Sequence, residues 1–158
     1  MPGINGAMAN GETMMDLALK EAEAAAARGE VPIGAVLVDS RSGEVLAKTG
    51  NRVEELGDPT AHAEMLAIRA GAEALGLKRL TDADLYVTLE PCAMCAAAIS
   101  FARLRRLYFG AGDPKGGAVE NGARFFGLAT CHHRPEVYGG IGESAAGALL
   151  KRFFQGLR

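Results

Sequence analysis

Apolar positions recur along this chain with two periods, and the periods mark out its elements. From residue 12 to residue 28, Met15, Leu17, Leu19 and Ala22 stand among Glu, Lys and Asp at near-helical spacing. That predicts a helix stopping at Gly29. VPIGAVLVD (31–39) is β-branched and apolar enough for a buried strand. SRSG (40–43) reads as a turn and EVLAKTG (44–50) as a second strand, so the pair predicts a hairpin. ELGDPT (55–60) is loop, and a second helix follows from residue 61 to 75, ending at Gly76. DLYVTL (84–89) predicts a strand. Glu90-Pro91 then opens a third helix, since proline favours the first helical position, and that helix covers residues 92–103. RRLYFGA (105–111) is a strand and DPKGGAVENG (113–122) a loop rich in turn residues. Residues 123–137 show no assignable pattern, EVYGGI (136–141) reads as a fifth strand, and 144–157 as an amphipathic C-terminal helix.

Strands alternating with helices predict an α/β fold with a central sheet covered on both faces. With 158 residues, no internal repeat and no linker, the chain reads as one domain over 12–158. Residues 1–11, rich in Gly and Asn, are expected to be a disordered N-terminus.

Charge adds one asymmetry. Residues 1–100 hold eight Lys/Arg against fifteen Asp/Glu, whereas residues 101–158 hold nine against four. The net −2 argues against a protein that coats nucleic acid, but the cationic last third is a candidate polyanion-facing surface. No apolar run approaches the roughly 18–20 residues of a membrane span, and the first fourteen residues have no signal-peptide pattern. A cytoplasmic location and no membrane partner are therefore expected. There the three cysteines would stay reduced and read as ligands or inert core.

Two segments carry the candidate chemistry, and each sits where a loop or strand enters a helix. They are Thr60-Ala61-His62-Ala63-Glu64 and Thr88-Leu89-Glu90-Pro91-Cys92-Ala93-Met94-Cys95. Cys92 and Cys95, three apart at a helix start, share one face, and the helix N-terminus favours thiolates there. Two thiolates and the His62 imidazole form a three-point set suited to Zn²⁺, with the fourth tetrahedral position open as in catalytic zinc sites. Glu64, two residues past His62, need not ligate the metal and is placed to move protons. Cys-x-x-Cys alone is equally a redox pair, a structural half-site or buried core. His-x-Glu followed about 30 residues later by Pro-Cys-x-x-Cys, each at a helix start, is the signature of zinc-dependent nucleobase deaminases. Cys131-His132-His133 offers material for a second metal site, but adjacent histidines diverge and a plain loop is the simpler reading.

With those residues in view, the sequence resembles the cytidine-deaminase-like superfamily and, within it, the bacterial tRNA-specific adenosine deaminases. The matching stretches are EVPIGAVLV (30–38), GNR (50–52), DPTAHAE (58–64), DLYVTLEPCAMCAAAI (84–99), RRLYFGAGDPKGGAVE (105–120) and FFQGLR (153–158). The resemblance implies a three-layer α/β/α sandwich with a mixed five-stranded sheet, assembled as a homodimer with one Zn²⁺ per subunit. It implies that His62, Cys92 and Cys95 bind zinc and that Glu64 is the proton shuttle. It assigns Asn51 and the Ala63 backbone N–H to the flipped base. Asp113 and Lys115 would lie near the RNA backbone, and Phe153, Phe154 and Arg158 on a helix that meets the anticodon stem-loop. The implied reaction converts adenosine to inosine at the wobble position of a tRNA anticodon.

This chain departs from the many relatives that carry a longer basic tail, for which Arg103, Arg105, Arg106 and Lys115 are the compensating cations at hand. For Arg105 and Arg106 a solvated strand edge is the bland alternative. Two other readings keep parts of the pattern: a deaminase of a free base or nucleoside such as guanine or cytosine, and a binding module with structural zinc. Glu64 and the three-ligand count argue against the last.

Overall fold

The computed structural model describes residues 11–157. The expectation of a disordered N-terminus therefore falls almost wholly outside the described residues, as does Arg158. Helix α1 (Met14–Ala27) starts from a reciprocal cap. The Asp16 N–H donates to Thr13 Oγ1 and the Thr13 N–H donates to Asp16 Oδ2, each at 3.0 Å. Strands β1 (Gly34–Asp39) and β2 (Val45–Gly50) form the expected hairpin, and a short helix α2 (Val53–Leu56) follows. Next come α3 (Ala63–Leu75), β3 (Ala83–Leu89), α4 (Ala93–Ala102) and β4 (Arg106–Ala111). After a 3₁₀ turn at Phe125–Gly127 the chain ends with β5 (Glu136–Tyr138) and α5 (Glu143–Gly156).

The sheet order is β2-β1-β3-β4-β5. β2 and β3 each run antiparallel to β1, which lies between them, and β3, β4 and β5 run parallel, with α4 crossing from β3 to β4. Period-two alternation divides the core. Leu37, Leu85, Val87, Leu107 and Phe109 face α3 and α4, with Ile99 packed among them. Val36, Val38, Tyr86 and Tyr108 face α1, whose Met14, Met15 and Ala18 cover them. Central strands buried on both sides read as unbroken apolar runs, and that is why β1 and β3 were legible. The result is a three-layer α/β/α sandwich around a mixed five-stranded sheet.

Gly34 and Gly110 let helices lie directly on the sheet. A Cβ on Gly34 would stand 2.0 Å from the Ala18 carbonyl oxygen of α1, and one on Gly110 would stand 3.1 Å from Ala146 Cβ of α5. The three tyrosines stack across β3, β4 and β5: Tyr86 on Tyr108 with centroids 4.3 Å apart, Tyr108 on Tyr138 at 5.1 Å.

Four differences from the sequence reading have a physical reason in the structure. β1 begins at Gly34, because the Ile33 N–H closes a tight turn onto the Val31 carbonyl. α4 begins at Ala93, with Pro91 ahead of the cap, so proline ends the strand's approach and does not take the first helical position. β5 is only three residues long, since its Gly139-Gly140 continuation turns back toward β4. α2 has no hydrophobic period to reveal it; a carboxylate from another segment caps it, as described below.

Candidate active site

Two helix starts on one side of the sheet bring the candidate ligands together. His62 is the N-cap of α3 and Cys92 the N-cap of α4, both in extended backbone. Asp58 Oδ1 accepts from the Thr60 N–H and hydroxyl, at 2.8 Å each, and so shapes the turn that delivers His62. His62 Nδ1 lies 3.6 Å from Cys92 Sγ and 3.5 Å from Cys95 Sγ. The three donor atoms all stand within 4.8 Å of one another, the one such group found among the described residues.

The donor set fits zinc. Bond lengths of about 2.0–2.3 Å in a tetrahedron set ligand atoms roughly 3.5–3.8 Å apart, which matches the His–Cys spacings. The charge state points the same way. The hydrogen bond from Cys95 is the main influence holding the Cys92 thiol down, to about 4. Cys95 is pushed far up, first by its contact with Cys92 and then by burial. The His62–Cys92 contact raises His62. A dication is the charge that lets both sulfurs be thiolates together.

Glu64 occupies the first turn of α3, is buried, and reaches the Cys95 thiol; burial pushes its carboxyl up to about 7. Beside it, Asn51 is also buried. Its Oδ1 accepts the Ala63 N–H at 2.8 Å, its own N–H donates to the Ile33 carbonyl, and its carbonyl accepts from Arg28 Nη2. In this structure the Ala63 N–H is engaged by Asn51 and Ala63 is fully buried, so Asn51 lines the cleft and Ala63 stands behind it.

The cleft in front of His62 has a volume of about 770 Å³. Val31, Ile33, Asn51 and Leu89 form its floor, Asp113 and Lys115 one rim, and Leu150 and Phe154 of α5 the other. Phe153 and Leu157 line an adjoining recess that shares Asn51, His62 and Phe154. Phe154 is 50% exposed and meets Phe153 edge to face, so neither ring belongs to the main core. His62, Asn51, Asp113, Lys115 and Phe154 thus line one cleft, Phe153 lines the recess beside it, and Cys92 and Cys95 cluster with His62.

Other candidates lie elsewhere. Arg105 donates to both Asp84 oxygens, at 2.9 and 2.6 Å, and Arg106 donates to Glu136 at 2.6 Å. Both guanidiniums are committed within the sheet, so they are not free cations replacing a basic tail. Cys131-His132-His133 forms a latch rather than a metal site. The buried Cys131 thiol donates to the His133 carbonyl, Ser100 Oγ bridges to the same carbonyl at 2.8 Å, and His133 Nε2 lies 2.6 Å from the Leu104 carbonyl.

Two buried glutamates were missed by motif reading. Glu30 accepts the Glu54 and Glu55 N–H groups at 3.0 and 2.8 Å and so caps α2, next to Asn51. Glu90 gathers the 113–121 segment in the same manner. Their signal was a lone acid flanking an apolar strand, in GEVPIGAVLV and in DLYVTLEP.

The family model for the cytidine and deoxycytidylate deaminase zinc-binding region matches residues 8–111. A tRNA-specific adenosine deaminase of Agrobacterium fabrum is 62% identical over 148 residues, covering 94% of this chain and 96% of that one. A solved structure from a study of A-to-I editing by tRNA:A34 deaminases at the wobble position of transfer RNA superposes with a TM-score of 0.84. It is 64% identical and covers 87% of this chain and 98% of that one. A guanine deaminase from Nitrosomonas europaea superposes with a TM-score of 0.74 at 25% identity, covering 93% and 85%. With the ligand cluster, the fold and a relative this similar over nearly its whole length, the chain belongs to the cytidine and deoxycytidylate deaminase family, among its tRNA-specific adenosine deaminases.

Proposed function

We infer that this protein hydrolyses adenosine to inosine at the wobble position of a tRNA anticodon, releasing ammonia. The observation that carries the reading is the His62–Cys92–Cys95 cluster with buried Glu64 beside it, its His62 lining a cleft that Lys115 and Phe154 also line. His62, Cys92 and Cys95 would hold a zinc ion, and the ion would supply the Lewis acidity that favours a nucleophilic water near neutral pH. Glu64 accepts the proton of the attacking water. It passes that proton to the purine ring nitrogen, then takes the remaining proton from the newly added hydroxyl and passes it to the departing amino group, so water adds and ammonia leaves with no net change at the carboxylate. Asn51 is rigidly held by its contacts to Ala63, Ile33 and Arg28 and orients the base by hydrogen bonding. A base splayed from a single-stranded loop is the substrate that such a cleft accommodates, since unstacking it costs only a few kcal/mol. Lys115 on one rim is placed for a phosphate and the exposed Phe154 on the other for stacking on a neighbouring base. Asp113 and Phe153 are assigned to the same RNA-facing surface, and Arg158, outside the described residues, is proposed as a further RNA contact.

Residues 12–158 are proposed to be one catalytic domain, acting in the cytoplasm as a homodimer. Among the described residues, no helix is long and apolar enough to cross a membrane. The dimer reading rests on α4. Its sequence AMCAAAISFA has no charged residue on any face, and Phe101 is 72% exposed on the side away from the core. A helix apolar all round calls for a cover on both sides.

The test is deamination by zinc-loaded protein of an anticodon stem-loop with wobble adenosine, run beside free adenosine, cytidine and guanine. Inosine in the stem-loop with inert free compounds supports the reading. Turnover of a free base with an inert stem-loop replaces it with the small-molecule alternative.

A further inference from the structure

Glu90 has no part in the proton transfers above, yet it has the densest set of hydrogen bonds to any carboxylate described in this protein. It is 2% exposed. Its Oε1 accepts the Asp113 N–H at 2.9 Å and Asn121 Nδ2 at 2.7 Å. Its Oε2 accepts the N–H groups of Val119, Glu120 and Asn121 at 3.0, 2.9 and 3.0 Å. Five donors on two oxygens more than fill the roughly four lone-pair sites of a carboxylate, and none of the five is a cation. Burial raises the Glu90 carboxyl, and the hydrogen bonds from Asp113, Asn121 and Glu120 outweigh it, so the group stays below the ordinary glutamate range.

All five donors belong to the 113–121 segment, which has no helix or strand of its own. The segment closes on its anchor in two further ways. The Ala118 N–H donates to the Pro91 carbonyl at 2.9 Å, and a Cβ on Gly117 would stand 2.4 Å from Glu90 Cδ. Glycine at 117 therefore admits the carboxylate against the backbone. The segment presents Asp113 and Lys115 to the cleft. Glu90 is also two residues from the ligand Cys92. One short stretch, Glu90–Pro91–Cys92, thus fixes both a metal ligand and the rim facing the substrate.

We propose that Glu90 is a positioning residue for substrate: its buried carboxylate, by gathering the backbone donors of 113–121, sets where Asp113 and Lys115 stand relative to the His62–Cys92–Cys95 cluster. The substrate part rests on the RNA reading above; the gathering of the segment does not.

The experiment compares zinc-loaded wild type with Glu90→Gln, Asn121→Ala, Lys115→Ala and Glu90→Gln/Lys115→Ala. Zinc content, amide hydrogen exchange and stem-loop kinetics are measured on each. Gln keeps the shape but turns two donor hydrogens toward N–H groups. Exchange at Asp113, Val119, Glu120 and Asn121 should then rise on the order of a hundredfold, with Leu85 and Val87 of β3 unchanged. KM for the stem-loop should rise about tenfold with one zinc per subunit retained and kcat changed much less. Lys115→Ala should weaken binding in wild type and add less than about twofold to Glu90→Gln, because a displaced lysine has nothing left to lose. Asn121→Ala removes one donor and should move exchange and KM in the same direction by less, and it serves if Glu90→Gln does not fold. Unchanged exchange at the four amides, lost zinc, or additive effects of the two substitutions would each overturn the proposal. A wild type that makes no inosine in the stem-loop sinks the RNA reading, while the exchange data still decide whether Glu90 gathers the segment.

Discussion

Arg105 separates two accounts of the cationic last third of the chain, and the structure gives the size of the difference. Its guanidinium donates to Asp84 Oδ1 at 2.9 Å and to Oδ2 at 2.6 Å. The Asp84 side chain is 7% exposed and that of Arg105 is 39% exposed. Arg105→Met keeps the aliphatic stem and strands the carboxylate. Removing one partner of a fully buried pair costs about 3–5 kcal/mol. Water reaches this pair on the arginine side, so the cost falls to about 2 kcal/mol. For a domain of this size that lowers Tm by about 4–8 °C. A guanidinium in contact with RNA phosphate would behave differently. Its removal would leave Tm alone and reduce the slope of log affinity against log salt by about 0.7–0.9. The assay is thermal unfolding of the zinc-loaded protein beside stem-loop affinity at four salt concentrations. The structure calls for a lower Tm with an unchanged salt slope. Adding Asp84→Leu should recover part of the loss, since no carboxylate is then stranded. An unchanged Tm with a shallower slope would refute the reasoning and return Arg105 to the RNA-binding surface.

Glu64→Gln should lower kcat by about 10²–10⁴ with zinc still bound, and an active variant would remove Glu64 from the proton path. Cys92→Ser should fall well below one zinc per subunit by elemental analysis; stoichiometric metal in that variant would show that the ligand set is different. Chelation of the wild type should abolish activity and lower Tm, both recovering when Zn²⁺ is returned. Gly34→Ala forces a methyl against the backbone of α1 and should cost about 3 kcal/mol or more in denaturant unfolding. Gly127→Ala, with nothing within 4 Å of its Cβ, should lie within about 0.5 kcal/mol of wild type. If the proposed dimer forms through α4, wild type should sediment as a dimer and Phe101→Asp as a monomer; a monomeric wild type would remove the dimer proposal, and a dimeric variant its α4 interface.

What was legible in the sequence follows from how each feature is encoded. β1 and β3 announce themselves because strands buried on both faces must be apolar throughout. The ligands announce themselves because His62 and the Cys92–Cys95 pair each sit at a helix start, where spacing is rigid. The 113–121 segment is different. Its conformation is dictated by Glu90, more than twenty residues earlier, and no local pattern in DPKGGAVEN records that partner. Helix α2 is hidden for the same reason, since its cap comes from Glu30. Arg105 and Arg106 misled because a charge count cannot tell a free cation from one whose partner, Asp84 or Glu136, lies on a neighbouring strand. Cys131 and His133 have metal-binding chemistry, but Ser100 and Leu104 of the α4 region had already engaged them.

The stacked tyrosines have a spectroscopic consequence. The chain has three tyrosines and no tryptophan, and all three rings lie in one pile across β3, β4 and β5. Tyr86 and Tyr108 sit on the face covered by α1, whereas His62 and Cys92 begin the helices of the opposite face. Tyrosine emission is therefore a local gauge of the parallel half of the sheet, with no ring in the lining of the cleft. Any change in that emission when RNA or metal binds has travelled through β3 or β4 to be seen. A steady signal during metal removal would mean that the sheet keeps its stacking while the ligand loops relax.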